Sequence, residues 1–151
     1  MALTVEHMLQ PARPRVLIPG IRRLDPGVER YPVAGGGSVV TRIFAGDVLR
    51  IVNTEGGQSC EVVAFTSDGR EQPGILGSGN DGAAAGLRAM LAQGGGPADA
   101  LLTALRAKGL SDQFEKSVHR FDRDTPAGAE ATFTAEEDGI VVIAATGSDM
   151  D

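Results

Sequence analysis

Between Tyr31 and Phe65, β-branched and apolar residues come in runs separated by glycine: Val39–Phe44, Val48–Val52 and Cys60–Phe65. Each run has the length of a strand. The segments between them, Ala45-Gly46-Asp47 and Asn53-Thr54-Glu55-Gly56-Gly57, have the composition of turns, so a three-stranded meander is predicted. In the second run Leu49 and Ile51 alternate with Val48, Arg50 and Val52, which puts Arg50 on the face opposite the one that buries Leu49 and Ile51. The β pattern resumes at Ser117–Phe121, Ala131–Thr134 and Ile140–Ala145. The last run is apolar throughout and predicts a strand covered on both faces.

The period changes in the middle of the chain. Ala83–Leu91 is compatible with a helix whose apolar stripe is Leu87, Met90 and Leu91, and Gly94-Gly95-Gly96 stops it. Pro97 opens a second helical pattern that places Leu101, Leu102 and Leu105 on one face and ends at Lys108-Gly109, a basic last turn followed by a C′ glycine. Residues 1–30 show no sustained period and contain Pro11, Pro14, Pro19, Pro26 and five arginines from Arg13 to Arg30, so they read as an extended arm. Within that arm, Val16-Leu17-Ile18 could add to a sheet edge or pack as a tail. A faint internal echo is also present. Ala45-Gly46-Asp47 leads through a strand to Glu55-Gly56, as Ala127-Gly128-Ala129 leads through a strand to Asp138-Gly139.

The expected fold is therefore mainly β (α+β), a small barrel or sandwich of about seven strands with two short inserted helices. One β-rich domain would run over 31–147 with its helical insertion at 82–109, leaving 148–151 as a tail. At 151 residues there is room for one ordinary core, and 21 glycines and 8 prolines disfavour long helical bundles. The net charge of -6 argues against a nucleic-acid footprint. No apolar run approaches the roughly 20 residues of a membrane span, and there is no signal-like start. A cytoplasmic chain is the expectation.

Cys60 is the single cysteine, so the chain cannot form an internal disulfide or supply a multi-thiolate zinc site. A metal would need Glu61, His119, Cys60 and Asp47 to converge, and no ligand spacing points that way, so no metal site is predicted. Cys60 and Glu61 follow the Gly56-Gly57-Gln58-Ser59 turn at the start of a strand, where side chains can be aimed into a pocket. The catalytic candidates are Glu61, as a general base, and His119; the candidate ligand pocket is Arg50, Gln58, Cys60 and Glu61. The plainer reading makes Cys60 a small core residue, Glu61 a solvent-facing charge and His119 a surface or core-edge histidine. Cys60 as a nucleophile would require His119 beside it. His7 carries no signal beyond its presence in the arm. Gly77-Ser78-Gly79-Asn80-Asp81-Gly82 matches GxGxxG before a helix, yet no proper strand precedes it, so it and Gly35-Gly36-Gly37-Ser38 read as loops. The acidic residues Asp122, Asp124, Glu136, Glu137 and Asp138 read as turn and surface charges.

The run Ala45-Gly46-Asp47-Val48-Leu49-Arg50-Ile51-Val52, followed by Gly57-Gln58-Ser59-Cys60-Glu61-Val62-Val63-Ala64-Phe65, resembles the start of the urea carboxylase-associated family. Pro126–Ala135 and Ile140–Ala145 resemble its closing strands. The resemblance covers about half the chain and implies the β fold. Family members with deiminase-type or demethylase-type activity are expected to hold zinc through several cysteines, and here the pattern departs. The family's closing Cys-Pro is Thr146-Gly147, its Asp is Glu61, and alanine-glycine helices occupy the middle region. Similar domains occur at the N-terminus of folate-dependent aminomethyltransferases that resemble the glycine cleavage T protein. The resemblance thus implies a metal-free accessory module of such a one-carbon system, with tetrahydrofolate held by a fused or partner domain. The alternatives are a stand-alone enzyme acting on a small amine or amide, with Glu61, Gln58 and His119 lining its pocket, and an oligomerising or ligand-binding barrel without catalysis.

Overall fold

The computed structural model describes residues 1–7 and 28–146. Among these residues, eight strands form two four-stranded antiparallel sheets: β1 (Ala2–Glu6), β2 (Val28–Pro32), β3 (Ser38–Ile43), β4 (Val48–Asn53), β5 (Cys60–Thr66), β6 (Val118–Arg120), β7 (Ala129–Thr134) and β8 (Gly139–Ala145). One sheet has the order β2-β1-β4-β7 and the other β3-β8-β5-β6, so the molecule is a sandwich and not a closed barrel. A 3-10 turn (Pro73–Leu76) and two helices, α1 (Ala85–Gln93) and α2 (Gly96–Ala107), lie between β5 and β6. No helix among the described residues is long and apolar enough to cross a membrane.

Periodicity decides which strand goes where. Leu3 and Val5 on β1, Leu49 and Ile51 on β4, and Ala131 and Phe133 on β7 alternate with polar or half-exposed neighbours. Their sheet therefore has one dry face, and Arg50 stands on the other face as its alternation predicts. β5 and β8 are apolar on both sides and occupy the centre of the second sheet. One side of that pair, Cys60, Val62, Ala64, Val141 and Ile143, closes the core between the sheets. The other side, Val63, Phe65, Ile140, Val142 and Ala144, is covered by Leu87 of α1 and by Leu101 and Leu105 of α2, with Phe114. Burying each such leucine or phenylalanine contributes on the order of 1.5–3 kcal/mol, so the helices are an integral second layer.

Two expectations require correction. The runs 39–44, 48–52 and 60–65 are strands but do not form a meander: β3 and β5 belong to one sheet and β4 to the other. The chain therefore crosses the sandwich between β3 and β4 and again between β4 and β5. The expected N-terminal arm also begins as a strand, because Ala2–Glu6 sits inside its sheet between β2 and β4. The run Val16-Leu17-Ile18 and the tail 148–151 lie outside the described residues. The two strands of the internal echo, β4 and β7, are antiparallel neighbours with Val48 opposite Thr134 and Asn53 opposite Ala129.

Candidate functional site

Of the predicted site residues, Glu61 has the most unusual position. It lies on the helix-facing side of β5 and is 2% exposed. Its Oε1 accepts hydrogen bonds from the backbone N–H groups of Gly86 (3.2 Å) and Leu87 (3.4 Å). These are orphan donors of the first turn of α1, whose preceding residue Ala84 has no side chain that could cap it. A carboxylate brought in from the sheet does what a local Ser or Asp does in other helices, and it meets the positive end of the helix dipole. The approach is close enough to require glycine. A Cβ on Gly86 would overlap Glu61 Oε2 and come within 2.7 Å of Thr146 Cβ.

Around this carboxylate the structure gathers part of the predicted set. His119 is the cross-strand partner of Glu61 in the β5–β6 register and so shares its face of the sheet. Its Nε2 lies 3.3 Å from Ser117 Oγ, whose hydroxyl donates to the Gly82 carbonyl at 2.8 Å. Gln58 Nε2 donates to the Thr146 carbonyl at 3.1 Å, tying the turn before β5 to the end of β8 beside Gly86. Gln58, Glu61, Thr146, Gly86 and His119 therefore mark one end of the second sheet.

The other predicted residues do not join them. Cys60 points from the opposite face of β5 into the core between the sheets and is 1% exposed. Burial, with the neighbouring Glu61 charge adding to it, pushes its thiol pKa up to about 12. Cys60 and His119 thus sit on opposite faces, and a thiolate–imidazole pair is ruled out. Arg50 lies on the outer face of the other sheet, 3.8 Å from Glu6 and 3.9 Å from Glu130. The four-residue pocket of Arg50, Gln58, Cys60 and Glu61 is therefore spread over three surfaces. Glu61 is buried and not the solvent-facing charge of the plainer reading.

The zinc expected of some family members has no counterpart in these residues: the one thiol is enclosed among apolar side chains, and no group of three or more His, Cys, Asp or Glu among the described residues could hold a metal. The Gly77–Gly82 loop does precede a helix, but its polar groups are already engaged. Asn80 Oδ1 accepts from Gly82 and Ser117 N–H, and Asp81 Oδ2 accepts from His119 N–H. The helix N-terminus that a phosphate would use is filled by Glu61. Asp122 serves as a turn residue, its Oδ1 accepting from Asp124 N–H and Thr125 Oγ1. At the far end of β5 a polar cleft of about 580 Å³ lies between Arg70, Glu71, Glu115, Lys116 and Glu137.

A second cluster, at His7, has no signature in the sequence. Its Nδ1 is 2.7 Å from Asp47 Oδ2 and its Nε2 is 3.2 Å from Glu29 Oε2. Asp47 is 1% exposed; its Oδ2 also accepts from Phe44 N–H, while its Oδ1 has no partner among the described residues. The three residues are far apart in sequence and come together only because β1, β2 and the β3–β4 turn share one end of a sheet.

The class of molecule is a helix-covered β-sandwich in which an internal glutamate anchors a helix to a sheet. The chain matches no known protein-family profile, and no solved structure gives a significant match. Over 142 residues, 93% of the chain, it is 40% identical to the trimethylamine-oxide aldolase of Ruegeria pomeroyi. The chain spans 18% of that protein's length, so it is similar to one small segment of a larger enzyme.

Proposed function

We propose that this chain is an accessory module of a one-carbon enzyme system acting on small methylated amines, related to trimethylamine-oxide aldolase. The observation that carries the reading is the alignment: 93% of the chain matches only 18% of a small-amine enzyme. The state of Glu61 supports it, since the best-placed acid–base group is enclosed and committed to the α1 backbone. In the finer form of the proposal, the module resembles the urea carboxylase-associated family and works beside an aminomethyltransferase-like domain or subunit that holds tetrahydrofolate. Its contribution is assembly, and it needs no metal of its own.

The test is the native mass of the chain isolated from its own cells, combined with a trimethylamine-oxide turnover assay on the chain alone and on any co-purifying partner. A species much heavier than 15.6 kDa, with turnover dependent on the partner, is the expected result. Turnover by the free chain, lost in Glu61→Gln at unchanged thermal stability, would overturn the proposal and establish the stand-alone enzyme built on Glu61 and its neighbour His119.

A further inference from the structure

The His7 cluster has a chemistry unrelated to small-amine turnover. A neutral imidazole carries one N–H, so it can donate to only one of two flanking carboxylates, and its other nitrogen would then face an acceptor lone pair. Both nitrogens of His7 lie within hydrogen-bond distance of carboxylate oxygens, and the ring is 5% exposed beneath Phe44. Only the doubly protonated ring satisfies both contacts. It also supplies the charge that a buried Asp47 with an unpartnered oxygen lacks. The three residues join the end of β1, the start of β2 and the turn before β4, adding side-chain contacts to the strand ladders and the core packing there.

We propose that His7 is a proton-controlled clasp that closes this end of the sheet while its ring is charged and releases it when the proton leaves. The two carboxylates that contact the ring both favour its charged form. From β2, Glu29 accepts from His7 and from the Tyr31 hydroxyl at 2.8 Å; from the β3–β4 turn, Asp47 accepts from His7; Glu6 precedes His7 on β1. Asp138, on the β7–β8 turn, accepts Ala45 N–H in the β3–β4 turn. Among the described residues, Glu29 and Asp47 form ion pairs with His7 and with no lysine or arginine. Burial disfavours the charged ring, and the hydrogen bonds to Glu29 and Asp47 outweigh it, so the His7 pKa is raised above 6.5. A raised folded-state pKa means that the clasp contributes fully below about pH 6.5 and loses its contribution as the pH climbs through the raised value. Burial also opposes the Glu29 charge, and the hydrogen bonds from Tyr31 and His7 more than offset this, so its pKa is lowered from 4.5 and the clasp weakens again only in acid.

The experiment follows the His7 imidazole of the full chain by NMR from about pH 5 to about pH 10. In parallel, hydrogen exchange of β1 and β2 peptides is measured and corrected for its intrinsic pH dependence. A His7 midpoint above 6.5, together with an increase of about threefold or more in β1–β2 opening across that titration, is expected. The step should vanish in His7→Gln. Glu29→Gln, which keeps the Asp47 contact, should move the His7 midpoint and the opening step down together. A midpoint at or below 6.5, opening that is flat across the titration, or a step that survives in His7→Gln would overturn the clasp. Should His7→Gln fail to fold, Glu29→Gln decides: a step that stays in place while the His7 midpoint moves defeats the proposal.

Discussion

Cys60 and Glu61 are neighbours in the chain and have opposite fates, because successive side chains on a strand leave opposite faces. Cys60 enters the core between the sheets, where its thiol is held protonated. The folded chain should therefore resist an aromatic disulfide reagent at about pH 8 and react stoichiometrically once denatured. Fast labelling of the native protein would show that Cys60 is not where the fold puts it. Glu61 enters the helix layer, and its seat depends on Gly86. Gly86→Ala puts a methyl group against the carboxylate and Thr146, and should lower stability by about 1–3 kcal/mol in thermal or denaturant unfolding. An unchanged melting temperature would mean that α1 slides freely over the sheet. The sequence shows that Glu61 opens a strand after a glycine turn; it does not show which face of that strand a helix covers.

The helices were legible as elements and nearly so in their limits. Ala83–Leu91 became α1 at Ala85–Gln93, and the Pro97 pattern became α2 at Gly96–Ala107, because glycine and proline punctuate both. Their apolar stripes dock as periodicity required: Leu87, Leu101 and Leu105 are buried, whereas Met90, Leu91 and Leu102 are only half-buried at the margins. Leu105→Ala should cost about 2–5 kcal/mol, and Leu102→Ala clearly less. Equal effects in denaturant titrations would contradict the docking geometry. β1 is not legible in the sequence because Ala2–Glu6 sends only Leu3 and Val5 inward, too short an alternation to stand out beside a proline-rich stretch.

Over the whole molecule, two kinds of strand pattern assemble into two kinds of sheet. The alternating strands β1, β4 and β7 give one sheet a wet face, and the central strands β5 and β8 of the other, covered on both sides, need helices on their far side. This arrangement places the ends of distant segments together twice, at Glu61–Gly86–Thr146 and at His7–Asp47–Glu29. The wet face carries Arg50 between Glu6 and Glu130 at distances near 4 Å, a loose and solvated charge group that contributes little to stability.

Element type, the apolar stripes of the two helices and the burial of β8 on both faces follow from local pattern. They depend on the periods 2 and 3.6, which a short window of the chain carries. Strand partners, the embedding of β1 in a sheet, the separation of Cys60 from His119 and the meeting of His7 with Asp47 and Glu29 arise otherwise. Each depends on which segments distant in sequence pack side by side. That choice is made by burying both faces of β5 and β8 at once, a condition on the whole core that no local window contains.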